Sequence, residues 1–215
     1  MAKVCRNEFI GDTVEIARRL LGCYLVRIWH GEMLVCRITE TEAYVGSIDK
    51  ACHAYGYHKT PRNAVMFGPP GHAYVYLIYG MYHCLNFTTN IEGEPEAVLL
   101  RGLSPVYGQE RMAHLRYGKP LAELTSYQKK HFLNGPGKCC KALDIDRSLN
   151  GEDLTGGTLF ICHSLADLGL PEENKNLTIH CGKRIGIDYA AEAIDFPWRF
   201  WTEESTCCYL IWTAH

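Results

Sequence analysis

The feature that most limits the folds open to this chain is a succession of β-forming segments separated by short turns. Residues 24–30 and 33–45 are rich in β-branched and aromatic residues and are joined by a turn around Gly31. Residues 72–90 hold two more such runs on either side of Tyr79-Gly80-Met81, which predicts a hairpin with Tyr79 at its tip. Strands that follow each other without intervening helices favour an α+β fold over a doubly wound parallel sheet.

The other segments add helices and one long loop. A helix is predicted over 12–21, with Asp12 as its cap, Glu15 in the capping-box position and Gly22 at its end. Residues 46–71 lack periodicity and are rich in Gly, Pro, His and Lys, which predicts a long loop of a kind that is usually functional. Further strands are predicted at 97–103 (ended by Ser104-Pro105), 157–162, 176–181, 183–188 and 197–202, and further helices at 106–117, 121–133 and 137–145.

The predicted architecture is a single α+β domain over residues 1–215. It contains a mixed, mainly antiparallel, curved β-sheet flanked by helices, with a protruding β-hairpin. A chain of 215 residues can bury a core without disulfides or metals. It shows no signal-peptide pattern and no apolar run near the roughly 18 residues of a spanning helix, so we expect a soluble, intracellular protein that does not bind membranes.

The chain has eleven cysteines, but their spacing is not that of a disulfide framework. Their number is odd, two pairs are adjacent (Cys139-Cys140 and Cys207-Cys208), and no C-x-x-C spacing occurs. We therefore expect reduced, mostly buried thiols. A structural zinc site is the weaker alternative, because adjacent cysteines point apart on a strand or helix.

The net charge of −2 is low for a nucleic-acid-binding protein, because contacts with phosphates usually leave a basic footprint. Basic residues could still gather on one face of the molecule. The sequence leaves open whether they do so or lie scattered over the surface. The candidates are Lys59 with Arg62, Lys129 with Lys130, Lys138 with Lys141, and Lys183 with Arg184.

Two glutamates occupy alternate positions in the predicted strand at 38–44. Strand alternation places Glu40, Glu42 and Tyr44 on one face, with the two carboxylates roughly 6 to 7 Å apart. Repulsion and burial would raise the pKa of one of them, and such a pair can activate water or protonate a leaving group. The alternative is an ordinary solvent-facing strand. The long loop that follows favours a site, because sites are often built where strands end.

Several motifs occur in a distinctive order and spacing: Glu40-Thr41-Glu42-Ala43-Tyr44, His53, Thr60-Pro61-Arg62-Asn63, Met66-Phe67, the run from Tyr74 to Tyr82, Cys84, Asn86, Val98-Leu99-Leu100-Arg101, Gly135-Pro136 with Lys138, and Arg184-Ile185-Gly186-Ile187. In this arrangement they resemble the alkyladenine DNA glycosylase family, also called the 3-methyladenine DNA glycosylase family. The resemblance covers the chain from the first predicted helix to Trp201. Within the family, the chain looks like a bacterial member.

For catalysis, the resemblance implies that Glu42 is the general base that deprotonates the attacking water. Arg101 would help to hold that water, and the backbone carbonyl of Ile185 would also contact it. Tyr79 would enter the duplex and fill the place of the flipped base. An aromatic side chain at a hairpin tip suits this task, because extruding a base costs a few kcal/mol of lost stacking.

For binding, the resemblance implies a pocket in which Tyr44 and His53 sandwich the base and Tyr76 closes the space. Base–aromatic stacking contributes roughly 1 to 3 kcal/mol per base, and a cationic purine should gain from cation–π attraction. Asn86 would exclude normal guanine by crowding its exocyclic amine. Lys138 and Arg62 are candidates for phosphate contacts, and the turn at 135–138 could equally be a plain helix start.

The activity implied by the resemblance is base-excision repair of double-stranded DNA. The substrates would be alkylated or deaminated purines (the 3-methyladenine, 7-methylguanine, hypoxanthine and ethenoadenine class), and the product an abasic site. We expect a monofunctional enzyme, because no lysine lies within the Glu40–Tyr44 strand or the hairpin to form a Schiff base. No cofactor or metal is expected, and the protein is expected to be a cytoplasmic monomer associated with the bacterial nucleoid through DNA.

The chain departs from the family pattern in the long loop. The family often has glycine where Tyr57 stands, and arginine near His58 and at Ala64. The lost positive charge is expected to weaken backbone binding or to change lesion preference.

Three other functions remain open from the residues alone. A hydrolase of free nucleosides or small glycosides would use Glu40 and Glu42 as its carboxylate pair but gives Tyr79 no task. A non-catalytic nucleic-acid-binding module would tolerate loss of the Glu42 carboxylate. A zinc hydrolase lacks the H-x-x-x-H and H-E-x-x-H spacings that such enzymes use.

Overall fold

The computed structural model describes residues 3–172 and 177–203, and it contains one eight-stranded sheet. The strands are β1 Tyr24–Trp29, β2 Glu32–Val45, β3 Ala73–Ile78, β4 Tyr82–Thr89, β5 Glu96–Tyr107, β6 Leu159–Cys162, β7 Thr178–Gly182 and β8 Arg199–Glu203. The α-helices are α1 Thr13–Arg19, α2 Gln109–Tyr117, α3 Ser126–Lys130 and α4 Pro136–Ala142.

The sheet has the order β3-β4-β5-β2-β1-β6, and β8 joins it by pairing with both β2 and β7. All pairings between these strands are antiparallel. The long strand β2 pairs with β1 over its first half and with β8 further along, so the sheet curls around β2. The prediction of an α+β fold with a curved, mainly antiparallel sheet is confirmed.

The first helix and the hairpin lie where the sequence predicts them. Asp12 caps α1 by accepting hydrogen bonds from the amides of Val14 (2.7 Å) and Glu15 (3.1 Å). The hairpin pairs Ile78 with Tyr82, and Tyr79 at its tip has a φ of +51°. The Tyr79 side chain is 86% exposed, so the turn holds an aromatic ring out in solvent.

Strand β5 runs past Ser104-Pro105 to Tyr107, so the prediction that it ends there is wrong. The pairing with β2 shifts between Val35 and Cys36, which face Tyr107 and Pro105 respectively. Proline is tolerated in a strand beside such a bulge, because no ladder hydrogen bond is required of its nitrogen.

Two of the later helices are shorter than predicted. The helix predicted over 106–117 begins only at Gln109, because Gly108 in front of it has a φ of +83°. The helix predicted over 121–133 is divided into a 3-10 turn at Leu121–Glu123 and α3. Thr125 starts α3 afresh, because its side chain accepts from the Gln128 amide in a capping box.

The strand predicted at 183–188 does not form, and this segment is a loop. Its alternation of polar and apolar residues imitates a strand. Gly186 has a φ of +76°, and Arg184 is drawn into the protein interior by Asp49. The prediction fails because a tertiary ion pair and a left-handed glycine override the local pattern.

The core is filled mainly by residues of the sheet and of the helices packed against it. Nine cysteines are described as free thiols, and all but Cys5 and Cys181 are buried, as expected. The pair Cys207-Cys208 lies outside the described residues. None of the described helices combines the length and apolarity that crossing a membrane requires.

Candidate active site

A cavity of about 930 Å³ opens between the β3–β4 hairpin, the start of α4 and the loop around Ile185. Its charged lining residues are all basic, and no aspartate or glutamate belongs to the described lining. Tyrosines and the His53 imidazole supply most of its aromatic surface. The lining includes Tyr44, His53, Arg62, Tyr74, Tyr76, Tyr79, Tyr82, Cys84, Asn86, Leu99, Arg101, Arg116, Tyr117, Lys138, Lys141, Ile185 and Tyr189.

Glu42 lies directly beneath the floor of this cavity. Its side chain is fully buried and does not itself line the space. Oε1 accepts from the Ile185 amide at 2.9 Å and lies 3.4 Å from Nε of Arg101, and Oε2 accepts from the Tyr44 hydroxyl at 2.9 Å. All three partners line the cavity, so one layer of side chains separates the carboxylate from it.

Burial raises the pKa of Glu42 above its ordinary value. The positive charge of Arg101 and the hydrogen bonds from Ile185 and Tyr44 oppose this effect, and the charge of Glu40 reinforces it. Burial therefore contributes more to the shift than the repulsion between the two glutamates. The sequence suggested both causes.

Glu40 shares Arg101 with Glu42. Its Oε1 accepts from Nε of Arg101 at 3.1 Å and from Nη1 of Arg199 at 3.0 Å. The β2–β5 pairing is irregular here, since Glu40 lies opposite Gly102 and Thr41 opposite Leu100. Irregular pairing next to active sites often redirects a side chain, and here both carboxylates approach Nε of Arg101.

Tyr44 is held from behind by a buried ion pair. The guanidinium of Arg184 lies 4.7 Å from the centre of the Tyr44 ring and donates to both oxygens of Asp49, and both charged side chains are fully buried. Arg184 also donates to the carbonyl of Ala43 at 2.8 Å. Because Arg184 immediately precedes Ile185, this pair also fixes the loop whose amide contacts Glu42.

His53 and two tyrosines form an aromatic wall on the other side of the cavity. The His53 ring meets the Tyr76 ring nearly edge-on, with 4.6 Å between centres, and its Nδ1 lies 2.9 Å from the Tyr74 hydroxyl. The two tyrosine rings are 5.1 Å apart. Desolvation by these neighbours, together with the charge of Arg62, lowers the pKa of His53 to about 4, so the imidazole is neutral at pH 7.

The long loop that carries His53 and Arg62 is tied together by Asn63. The Asn63 side chain accepts from the Thr60 amide at 2.7 Å and donates to the carbonyls of His53 and His58, both at 2.9 Å. Two short 3-10 turns, Tyr55–Tyr57 and Ala64–Phe67, flank this network. The network fixes His53 relative to Arg62, whose guanidinium lies 5.1 Å from the centre of the Tyr76 ring.

Asn86 is buried at the back of the cavity. Its Nδ2 donates to the carbonyl of Tyr74 at 3.0 Å, across the β3–β4 pairing. This bond fixes the orientation of the amide, so a group that enters the cavity meets a rigid polar side chain rather than a mobile one.

The hairpin tip places Tyr79 at the margin of the cavity. Met81 and Tyr82 continue this exposed apolar surface, at 68% and 42% exposure. Strand alternation alone would assign Tyr74, Tyr76 and Tyr82 to packing against the sheet, which is correct for the buried Tyr74 and wrong for Tyr82. Tyr82 instead lines the cavity and packs against Gly137, where an added Cβ would lie 2.9 Å from the Tyr82 Cβ.

The basic residues of the cavity come from four parts of the chain. Lys138 and Lys141 lie on α4, Arg116 at the end of α2, Arg62 on the long loop and Arg101 on β5. Of the eight basic candidates, Arg62, Lys138 and Lys141 therefore converge. Lys59, Lys129, Lys130 and Lys183 are not part of the lining, and Arg184 is buried against Asp49.

Several contributors to the site escape sequence analysis. Asp49 and Arg184 are far apart in the chain, and a buried ion pair has no local signature. Arg116 and Tyr189 reach the cavity from segments with no distinctive motif. In the part of the chain that the structure describes, no group of three or more His, Cys, Asp or Glu side chains could hold a metal ion.

Comparison with known proteins gives one consistent result. The family model for methylpurine-DNA glycosylase (MPG) matches residues 7–206. A protein of Clostridium tetani, named provisionally as a 3-methyladenine DNA glycosylase, is 48% identical over 204 residues, covering 94% of this chain and 97% of its own. Proteins with the same provisional name from Clostridioides difficile and Bacillus cereus are 48% and 49% identical, covering 92% and 90% of this chain and 99% and 92% of their own.

The family match spans almost the whole described chain, and each relative is aligned over nearly its full length. The chain therefore belongs to the methylpurine-DNA glycosylase family, and it is a DNA glycosylase, a hydrolase of N-glycosyl bonds.

Proposed function

We propose that this glycosylase repairs DNA by flipping alkylated or deaminated purines out of the duplex and hydrolysing their glycosidic bond with water activated by Glu42. The observation that carries the proposal is a single arrangement. A buried carboxylate is held by three groups, Tyr44, Arg101 and the Ile185 amide, that also line a basic, aromatic cavity beside an exposed tyrosine.

The cavity suits a nucleotide of double-stranded DNA. Its described lining carries five basic residues and no acidic one, so a phosphate backbone at its mouth is attracted despite the net charge of −2. Lys138 lies at the start of α4, where its ammonium group donates to Asn134 at 2.7 Å, and Arg62 lies on the opposite side. These two residues are our candidates for phosphate contacts.

Inside the cavity, the rings of Tyr44, His53 and Tyr76 offer stacking surfaces to a flipped purine. Base–aromatic stacking contributes roughly 1 to 3 kcal/mol per base and offsets part of the stacking lost from the duplex. Asn86, whose amide is held by Tyr74, limits the space near the purine edge and disfavours normal guanine.

Tyr79 is the group that replaces the extruded base. Its ring is 86% exposed on a hairpin whose strands are paired up to Ile78 and Tyr82. A rigid tip resists being pushed back when the ring enters the duplex and stacks on the neighbouring base pairs. The adjoining cavity then receives the nucleotide that the ring has displaced.

Glu42 supplies the chemistry. A carboxylate has about four lone-pair sites, and three described donors approach it, which leaves capacity for one water proton. Access requires a small shift of the groups above the carboxylate, and Ile185, which is 47% exposed, is the most exposed of its three partners. The carboxylate also stabilises the cationic character that develops on the sugar.

The remaining features follow from the same site. We also propose that the reaction leaves an abasic site without strand cleavage, with water and not a lysine amine as the nucleophile. The two lysines of the described lining, Lys138 and Lys141, lie on α4, and the Lys138 ammonium group donates to Asn134. We further propose that the enzyme acts as a cytoplasmic monomer on double-stranded DNA, in a single domain.

The carboxylate-pair hydrolase is disfavoured by the contacts of Glu40. Two guanidinium groups, from Arg101 and Arg199, hold its carboxylate, and it does not line the cavity. A carboxylate that is engaged by two guanidinium groups and lies outside the cavity is badly placed to protonate a leaving group there.

An excision panel tests the proposal directly. Duplexes that each carry one lesion (3-methyladenine, 7-methylguanine, hypoxanthine or ethenoadenine) are incubated with the protein, beside the corresponding free nucleosides. We expect release of damaged bases from DNA, an intact strand until the abasic site is cleaved chemically, and no hydrolysis of nucleosides. Hydrolysis of nucleosides at a similar rate would overturn the proposal in favour of the small-substrate hydrolase.

A further inference from the structure

Both tyrosines of the base pocket carry an arginine on one ring face. The Arg184 guanidinium lies 4.7 Å from the centre of the Tyr44 ring, and the Arg62 guanidinium lies 5.1 Å from the centre of the Tyr76 ring. A cation on the face of a ring is attracted by the ring quadrupole. The aromatic rings alone would attract a positively charged base, but the arginine on one face of each ring opposes that attraction.

The two arginines differ in how their charge is balanced. Arg184 is paired with Asp49, with both side chains buried. Arg62 is exposed to the cavity, makes no ion pair with any described residue, and interacts only with neutral groups there, the carbonyl of Leu77 at 3.3 Å and the hydroxyl of Tyr74 among them. Arg62 therefore contributes an uncompensated positive charge beside the aromatic wall.

We infer that this pocket binds neutral damaged purines, such as hypoxanthine, more tightly than permanently cationic ones, such as 7-methylguanine, and that Arg62 is the residue that sets this preference. The inference rests on the proposed function, since it assumes that the flipped base occupies the space between Tyr44 and Tyr76. It reverses the sequence-based expectation that cation–π attraction favours cationic bases.

The charges around the pocket support this order of affinities. All five charged residues of the described lining are basic, so no carboxylate there can attract a cationic base. His53 is neutral at pH 7 because its pKa is lowered to about 4, so it can donate or accept a hydrogen bond but adds no charge. The carboxylates beneath the floor, Glu40 and Glu42, are matched by the guanidinium groups of Arg101 and Arg199.

The preference concerns binding and not the chemical step. A cationic purine is a better leaving group than a neutral one, so its bond can break quickly even when it is held weakly. The names of the relatives refer to 3-methyladenine, which is cationic in DNA, and are compatible with such a division. For cationic lesions, the inference therefore predicts a high half-saturating enzyme concentration combined with fast cleavage. For neutral lesions, it predicts a low half-saturating concentration combined with slow cleavage.

Single-turnover kinetics separate the two steps. The maximal rate and the half-saturating enzyme concentration are measured on duplexes with hypoxanthine or 7-methylguanine, for the wild type and for Arg62→Met, Arg62→Lys and Arg18→Met. Methionine removes the charge while keeping a long side chain. Arg18, an exposed residue of α1 outside the cavity, is the matched control for lost charge.

Arg62→Met is expected to lower the half-saturating enzyme concentration for the 7-methylguanine duplex by about tenfold relative to that for the hypoxanthine duplex. The reason is that the variant removes the Coulomb repulsion between Arg62 and the cationic base over the width of the pocket. Comparing each variant with the wild type cancels the different pairing strengths of the two lesions. Arg62→Lys and Arg18→Met should keep the wild-type ratio. A general loss of phosphate binding would weaken both duplexes equally and leave the ratio unchanged.

An unchanged ratio in Arg62→Met, or a shift away from 7-methylguanine, would overturn the inference. The same shift in Arg62→Lys would also overturn it, because shape and not charge would then be responsible. In each of these cases the wild type still excises bases, so the proposed function stands. A wild type that excises neither lesion would instead refute the proposed function.

Discussion

The cavity and the charged cluster beneath its floor are built on opposite principles. The described cavity lining holds five basic residues and no acidic one, and it is open to solvent. The cluster of Glu40, Glu42, Arg101 and Arg199 holds two carboxylates and two guanidinium groups, with the Glu42 side chain fully buried. The first arrangement attracts a polyanion, and the second surrounds a buried carboxylate with a positive charge and donors that oppose the effect of burial on its pKa.

This difference shows how one site can bind DNA and still contain a general base. An exposed glutamate would repel the phosphate backbone and weaken the basic field of the cavity. Placing Glu42 one layer deeper, with Arg101 shared between the two regions, separates the field that DNA meets from the group that performs the chemistry. Variants of Glu42, Arg101, Tyr79 and Tyr44 test this separation.

Replacing the buried carboxylate should remove the chemistry and leave binding intact. Glu42→Gln keeps the size of the side chain but eliminates the base, so we expect excision to fall by about 10³-fold or more. The affinity for lesion-containing duplex should change little, because Glu42 does not line the cavity. Single-turnover excision and a binding titration on the same duplex measure the two effects.

Glu96→Gln is the matched control, since Glu96 is another buried glutamate of the sheet, bonded to Thr13 and outside the cavity. It should retain excision. Near wild-type turnover by Glu42→Gln would remove the proposed mechanism, and a large loss of DNA affinity would contradict the separation of the two regions.

Arg101 belongs to both regions, so its loss should affect both. Arg101→Met removes the positive charge that opposes the raised pKa of Glu42. We expect excision at pH 7 to fall by about 10²-fold, because preorganised charge beside the reaction centre is lost and less Glu42 is ionised. DNA affinity should also fall, with a shallower dependence on salt.

Arg101→Lys is the informative partner variant, because it keeps the charge but not the planar guanidinium. We expect it to restore part of the excision rate and the salt dependence. If Arg101→Met changed binding but left the rate at saturating enzyme unaltered, Arg101 would belong to the cavity alone.

The hairpin tip tests the binding region without touching the cluster. Tyr79→Ala removes the ring proposed to replace the extruded base, so we expect excision from a fully paired duplex to fall by about tenfold. A lesion in a mispair should suffer less, because less stacking must be broken. Tyr127→Ala removes a similarly exposed tyrosine outside the cavity and should change neither substrate. Equal losses on paired and mispaired duplexes would argue against the wedge role.

Sequence patterns predict the fold well wherever local signals and tertiary contacts agree. The hairpin around Tyr79, the Asp12 cap and the long strand that carries Glu42 follow from turn residues, capping chemistry and alternation. Residues 183–188 show where such patterns fail, since the segment alternates like a strand but is held as a loop by the pair between Arg184 and Asp49.

The residues of the site were predictable, but their layering was not. The resemblance to a known family supplied the positions of Glu42, Tyr44 and Arg101, and the structure brings these residues together. Depth below a surface depends on how distant segments pack, which periodicity does not encode. The structure was therefore needed to show that Glu42 lies under the floor, and that Arg184 forms an ion pair while Arg62 forms none with the described residues.

The smallest expected effect concerns the hydroxyl that joins the two regions. Tyr44→Phe keeps the ring for stacking but removes the hydrogen bond to Oε2 of Glu42, which stabilises the ionised form. Burial already raises the pKa of Glu42, and losing this donor should raise it further. Excision requires the ionised base, so the rate falls as the pH drops through this pKa, and the acid limb of the pH–rate profile should move to higher pH in the variant. Well above this limb the rate should change only by about twofold, because the base is still ionised. Tyr107→Phe, which alters a half-exposed tyrosine outside the cavity, should leave the profile unchanged. An acid limb that stays in place or moves to lower pH would show that the Tyr44 hydroxyl does not tune Glu42.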